Sequence, residues 1–310
     1  MFLLYPLIGK IFEKMFGGRG DGSPALTYFT ADDYGVRSRP FSFLSGKNLL
    51  RGEAYFVDDS PKKGLVVFFH GLSAGRSSYT SEIAYLAKAG YLVMAYDNTG
   101  CMQSEGASMN GLSQAVLDQK AFFEFLDKQE EIKGMPRFAI GHSWGGYLSF
   151  MATNPLYRVK KAVSVAGFFS VDTLCVSAAP KAKGLQKTIR GYIAHRFGKD
   201  AAKSGLDYVK ESGIPVLYVQ GDRDFVVPTK DHYGYLKKHT KEYPNVTLRL
   251  QKNRAHQAFW TEGGQAYYDQ VFGKRGEKKF TIEDLLAIDY SEMNVDDPKL
   301  MKAIVDFFGE

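Results

Sequence analysis

The stretch that most constrains this chain is residues 136–152. Pro136-Arg137-Phe138-Ala139-Ile140 reads as a short buried strand, and Tyr147-Leu148-Ser149-Phe150-Met151-Ala152 as the first turns of a helix. Between them Gly141, Ser143 and Gly145 hold the spacing G-x-S-x-G. On so tight a strand-to-helix turn the serine is forced outward, its hydroxyl above the sheet edge. Glycines are needed where neighbouring backbone leaves no room for a Cβ. The helix that begins there aims its first amides at any negative charge forming beside Ser143. The five-residue spacing alone is common; the strand before it and the helix after it make it specific.

Such a turn needs a parallel sheet to stand on, and the chain supplies one. Residues 39–45 and 49–57 read as an antiparallel hairpin joined by Ser45-Gly46-Lys47-Asn48, followed by a polar loop over 58–64. Leu65-Val66-Val67-Phe68-Phe69 is apolar at every position, as in a strand covered on both faces. Helices at 78–89 and 112–131 then alternate with strands at 91–96, 136–140 and 159–166. A strand at 215–220, a helix at 229–240, a strand at 246–250 and a last helix at 297–308 complete the pattern. The alternation predicts an α/β chain with a mostly parallel, doubly wound sheet of about eight strands, whose ligands sit beyond the strands' carboxyl ends, where Ser143 lies. Residues 168–212 carry helical signals and no strand, and read as a small helical cap insertion. The expected organisation is therefore 1–22, an amphipathic helix and Gly-rich linker; 23–167, the first part of the core; 168–212, the cap; and 213–310, the second part.

The 310 residues are 45% apolar and 24% charged, a composition that packs a core, and the net charge of +6 is too mild to mark a nucleic-acid binder. Two cysteines, Cys101 and Cys175, make neither a disulfide framework nor a paired zinc site. No metal or cofactor is expected, and a reducing, cytoplasmic compartment fits. Near the start, Leu4, Leu7, Ile8, Ile11, Phe12 and Met15 recur at helical spacing, with Lys10, Glu13 and Lys14 on the other side. This stripe through residues 1–16 would dock on its own domain, meet a sister subunit or lie on a membrane surface.

Serine is a poor nucleophile until a base takes its proton. His256, in the loop after the last strand, is the expected base; His142 should point away from the hydroxyl on so tight a turn, and His70 should brace a strand-end loop. His195, His232 and His239 fall in helices, where a solvated surface role is the default. The acid that orients the base is expected in Gly221-Asp222-Arg223-Asp224. Asp224, deeper in that loop, is better placed than Asp222, which would cap the turn or pair with Arg223. An oxyanion would be met by the amides of Trp144, next after the serine, and Leu72, in His70-Gly71-Leu72.

With these residues in hand the chain resembles an α/β-hydrolase, and more narrowly the serine aminopeptidase (S33) and monoglyceride-lipase-like group. The likeness rests on Val66-Val67-Phe68-Phe69-His70-Gly71, Tyr91-Leu92-Val93-Met94-Ala95-Tyr96-Asp97, Gly141-His142-Ser143-Trp144-Gly145, Gly221-Asp222-Arg223-Asp224 with Val227-Pro228, and Ala255-His256. The resemblance implies a serine triad and leaves the substrate open, since the group includes esterases, lipases and peptidases. Two features depart from it. Where the group often reads Asp-x-Arg-Gly-x-Gly-x-Ser, this chain has Asp97-Asn98-Thr99-Gly100-Cys101-Met102-Gln103-Ser104. An extension over 261–296 has no counterpart role.

The leading expectation is a carboxylic-ester hydrolase working on a small-molecule substrate; the alternative is a peptidase, and a catalytically silent binding protein is a third. A peptidase would want an acidic group near the pocket to hold a free amino terminus. Over 181–203 the insertion instead carries Lys181, Lys183, Lys187, Arg190, Arg196, Lys199 and Lys203 against Asp200 alone, which favours esters.

Overall fold

The computed structural model describes residues 2–22, 27–60, 62–274 and 278–310; residue 1, residues 23–26 at the head of the core, Pro61 of the polar loop and 275–277 of the extension lie outside the described residues. β1 (Arg37–Ser45) and β2 (Asn48–Phe56) form the expected hairpin, turning through Gly46 at a positive φ. After them come β3 (Leu65–Phe69), β4 (Leu92–Tyr96), β5 (Arg137–His142), β6 (Val159–Val165), β7 (Val216–Gly221) and β8 (Val246–Gln251). Among the described residues these make one sheet in the order β1-β2-β4-β3-β5-β6-β7-β8, antiparallel from β1 to β4 and parallel from there on.

Side chains alternate along each strand and so feed two layers. In β3, Leu65, Val67 and Phe69 join one core, while Val66 and Phe68 join the other. The helices are α1 (Tyr5–Phe16), α2 (Thr80–Lys88), α3 (Gln114–Leu126), α4 (Trp144–Met151), α5 (Val171–Ala178), α6 (Gln186–Phe197) and α7 (Lys199–Ala202). They continue with α8 (Gly205–Ser212), α9 (Tyr233–Lys238), α10 (Glu262–Phe272), α11 (Ile282–Leu286), α12 (Tyr290–Met293) and α13 (Pro298–Gly309). Ile83 and Leu86 of α2 and Leu300 and Ile304 of α13 cover the Val66 side; Phe122 of α3 and Leu148 of α4 cover the other. Asp297 caps α13 through the amides of Lys299 and Leu300, and Pro298 follows at its first turn, which fixes where the last helix begins.

Three helices are shorter than their spacing predicts: the one expected over 78–89 is α2, Thr80–Lys88, entered through a 3-10 turn at Arg76–Tyr79. The helix expected over 112–131 begins at Gln114, because the Leu112 carbonyl accepts the Trp144 indole N–H at 2.9 Å. The one expected over 229–240 begins at Tyr233, because the Thr229 carbonyl accepts the amide of Gly234, five residues on, rather than that of Tyr233. The 168–212 insertion forms α5 to α8, with capping boxes at Ser170 and Ser204.

The apolar stripe of α1 proves to be two faces. Tyr5, Ile8, Phe12 and Phe16 are buried, and the rings of Tyr5 and Phe12 lie edge-on to Tyr192 of α6. Leu4, Leu7, Ile11 and Met15, expected in the same stripe, point to solvent.

The loop after β4 explains its own departure from the usual pattern. Met102 stands where the second glycine is missing and holds φ 45°, a conformation glycine adopts without strain. Thr99 replaces the arginine and bonds Asp118 through both its amide and its hydroxyl. Asp97 is held instead by Arg76, whose guanidinium also reaches Glu53 and Gln103, and by the Arg76 amide at 2.9 Å. Both partners are buried, so removing the cation strands a carboxylate. Arg76→Ala is expected to lower stability by about 3–5 kcal/mol, read as a fall in urea midpoint at unchanged m-value. A fall below about 1 kcal/mol, as for a surface pair, would show that amide hydrogen bonds alone carry Asp97.

Candidate active site

Backbone crowding builds the site. A Cβ on Gly145 would stand 1.9 Å from the Phe69 carbonyl oxygen, and one on Gly141 2.5 Å from the Gly145 carbonyl. Only glycine lets β3, the end of β5 and the start of α4 approach so closely. Ser143, between them, is driven to φ 57° and ψ −113°, a strained conformation for a residue with a side chain, and its amide is pinned to the Val165 carbonyl at 2.8 Å. A third close approach joins the other two loops: a Cβ on Gly221 would lie 2.0 Å from the Ala255 carbonyl oxygen.

These contacts bring Ser143, His256 and Asp224 together. Ser143 Oγ lies 2.8 Å from His256 Nε2, and His256 Nδ1 lies 2.8 Å from Asp224 Oδ2. Asp224 is buried; Oδ1 accepts from the Val226 and Val227 amides and Oδ2 from Gln220 Nε2 at 2.6 Å. Asp222 does not reach the histidine. It accepts the Arg254 amide, while the expected Asp222–Arg223 pairing gives way to an Arg223–Asp269 ion pair.

Leu72 lines the cavity in front of Ser143, and Trp144 is the first residue of α4, so its amide is among those a helix leaves without an internal acceptor. His70 braces this loop: Nδ1–H donates to the Gly71 carbonyl at 2.7 Å and Nε2 accepts from the Asn98 amide at 3.0 Å. His142 points away from Ser143 Oγ, as expected, but does more than avoid it. The Gly71 amide donates to the Tyr79 hydroxyl, that hydroxyl to His142 Nδ1, and His142 Nε2–H to the His256 carbonyl. One chain of hydrogen bonds thus joins the Leu72 loop to the His256 loop. Burial, reinforced by the neighbouring His256, pushes His142 down to about 3, so it stays neutral and keeps this donor pattern. His195 is exposed, whereas His232 is buried at the start of α9 rather than solvated.

The cavity at Ser143 and His256 holds about 300 Å³. Its far wall is Trp260 and the extension the sequence left without a role, from which Tyr268, Phe272, Tyr290 and Met293 line it. None of residues 168–212 does, so the basic charge of the insertion is not part of the cavity wall. Instead an acid lines it. Glu82 of α2 is 3% exposed and hydrogen-bonds Asp296 and Ser81; burial pushes Glu82 up to about 7 and Asp296 well above the usual carboxylate range. A proton is therefore retained between the two carboxyls. Nothing in the local sequence at Glu82 signals this, because Asp296 arrives from 214 residues downstream. Among the described residues no group of His, Cys, Asp and Glu is arranged to hold a metal ion, and no helix is long and apolar enough to cross a membrane.

Comparison with known proteins bears on the fold. Residues 60–199 match the family described as serine aminopeptidase, S33. A 131-residue stretch is 27% identical to the caffeoylshikimate esterase of Arabidopsis thaliana, covering 41% of this chain and 39% of that protein. The chain thus spans well under half the length of this curated relative. An esterase structure from Pyrococcus furiosus superposes with a TM-score of 0.60 at 19% identity, over 84% of this chain and 96% of that one. An acylaminoacyl peptidase from Pyrococcus horikoshii superposes with a TM-score of 0.55 at 20% identity, over 81% and 44%. These likenesses establish the α/β-hydrolase fold.

Because Glu82 holds its proton more tightly folded than unfolded, its contribution is full below the ordinary value of 4.5 and is lost as pH rises through about 7. Glu82→Gln is accordingly expected to match the wild type near pH 4 and to exceed it in stability at pH 8. Thermal or urea melts at the two pH values check this; an equal change at both would show that the carboxyl pair does not share a proton.

Proposed function

We propose that this chain, which has the α/β-hydrolase fold and whose residues 60–199 match the serine aminopeptidase S33 family, is a serine hydrolase cleaving carboxylic esters through an acyl-enzyme. The observation that carries this reading is the unbroken line Asp224–His256–Ser143, both hydrogen bonds at 2.8 Å, opening into a 300 Å³ cavity. In the proposed reaction His256 Nε2 takes the Ser143 proton as Oγ bonds to the ester carbonyl carbon. Asp224 holds Nδ1–H and steadies the imidazolium. The Leu72 and Trp144 amides stabilise the oxyanion. Collapse breaks the bond to the alcohol, which leaves with the proton from His256. Water then attacks the acyl-enzyme, gives its proton to His256, and releases the acid as Ser143 Oγ regains a proton.

A second reading, a peptidase, gains a specific observation. The basic charge that favoured esters does not line the cavity, and Glu82, an acid able to receive an amine, does. The caffeoylshikimate esterase, matched by sequence over 131 residues, supports the first reading, whereas the likenesses to the esterase and acylaminoacyl peptidase structures are of fold alone. Aryl esters of increasing acyl length, assayed beside aminoacyl-arylamides, separate the two. Faster turnover of the arylamides, lost in Glu82→Gln, would replace the ester reading.

Two substitutions test the assigned roles. Ser143→Ala is expected to lose on the order of 10⁶ in kcat and all labelling by a fluorophosphonate, with the fold intact. Asp224→Asn should cost on the order of 10⁴, and Asp222→Asn far less; the reverse ranking would reassign the carboxylate.

A further inference from the structure

α1 is apolar on two sides, and only one of them is used. Its inner side, Tyr5, Ile8, Phe12 and Phe16, is 6–8% exposed against the protein, and Gly9 lets the helix close to 3.3 Å between a would-be Cβ and the Tyr192 hydroxyl. Along the outer side Leu3, Leu7, Ile11 and Met15 recur every four residues at 94%, 57%, 48% and 63% exposure, with Leu4 beside them. Residues so spaced form one ridge along a helix. A chain gains nothing in folding by exposing them, so their covering lies outside the monomer.

The charges beside the ridge say what that covering is. At 3.6 residues per turn, Lys10 and Lys14 fall on the outward side next to Leu3 and Leu7, both exposed, while Glu13 sits towards the flank. α6, against which α1 lies, adds the exposed Arg196 one turn beyond Tyr192, and the whole chain carries +6. A convex ridge on a single 12-residue helix offers less than the ~800 Å² per partner of a stable dimer. Two lysines facing the same two lysines across a two-fold would also repel. Apolar side chains flanked by snorkelling cations suit the boundary between acyl chains and anionic headgroups.

We propose that the outer side of α1 is a docking surface for anionic lipid membranes, with Leu3, Leu7, Ile11 and Met15 inserted at the acyl boundary and Lys10 and Lys14 on the headgroup phosphates. The helix remains packed on α6, so the domain is carried to the membrane with it. The proposal does not rest on the catalytic reading.

The test is co-sedimentation of the full chain with sucrose-loaded vesicles of phosphatidylcholine alone or with 30% phosphatidylserine. Wild type is expected to partition about tenfold or more better into the anionic vesicles, and to be released as salt screens the lysines. Leu7→Gln/Ile11→Gln and Lys10→Glu/Lys14→Glu should each lose about tenfold or more, with thermal midpoints unchanged, since all four side chains are exposed. Equal partition into both vesicle types, or wild-type binding by both variants, overturns the proposal. So does a concentration-dependent dimer that Leu7→Gln/Ile11→Gln dissociates while vesicles bind nothing, which would assign the ridge to a second copy.

Discussion

Everything at the site depends on how closely three backbone segments approach at the end of β5. With Gly145 packed against the Phe69 carbonyl and Gly141 against Gly145, the chain has no relaxed route from strand to helix. The strain is placed on Ser143, whose φ of 57° lifts its hydroxyl out of the sheet and towards His256. The rigid α4 and the parallel ladder β3–β5–β6 hold it there, since relaxing Ser143 would pull β5 from Val165, to which the serine amide is bonded. The same device recurs at Gly221, which draws the Asp224 loop onto the His256 loop. Geometry at the reacting atoms is thus set by packing several residues away, and the side chains that would do chemistry inherit their positions.

This is also why so much was legible in the sequence. A glycine that tolerates no Cβ has no substitute, so Gly141, Gly145 and Gly221 mark their loops whatever surrounds them. Strands buried on both faces declare themselves by unbroken apolar runs such as Leu65–Phe69. From those two signals the sheet, the strand-to-helix turn and the order Ser143, Asp224, His256 follow. What could not be read is what depends on partners distant in sequence. Glu82 looks like an ordinary first-turn helix acid until Asp296 meets it, and His142 like a bystander until Tyr79 and the His256 carbonyl occupy its two nitrogens. Helix lengths failed for a related reason: the Leu112 carbonyl is taken by the Trp144 indole, and the Thr229 carbonyl by the Gly234 amide instead of the one a helix would use.

Periodicity misled at α1 in an instructive way. Apolar residues at three- and four-residue spacing establish a helix but do not say how many faces it buries. Leu4, Leu7, Ile8, Ile11, Phe12 and Met15 read as one stripe, yet a stripe wide enough to hold all six spans more of the circumference than a single neighbour can cover. α6 covers the part facing Tyr192 and leaves the rest.

The cavity itself argues that specificity and basic surface charge are separate matters in this chain. Lysines and arginines of the insertion act, if on anything, on what approaches α1 and α6, because none of them reaches the space in front of Ser143. That space is framed by aromatic residues of the extension and by Glu82, whose pairing with Asp296 leaves the two carboxyls one proton and one negative charge, able to accept a hydrogen bond or to balance a cation. A doubly anionic pair would repel an oxyanion in the same cavity more strongly than a pair with one proton, and a fully neutral one would offer no preference to an amine. On the proposed reading, sharing a proton weakens that repulsion while keeping one charge for a donor, so any preference between ester and aminoacyl substrates at this wall would turn on Glu82 rather than on the charge of the insertion.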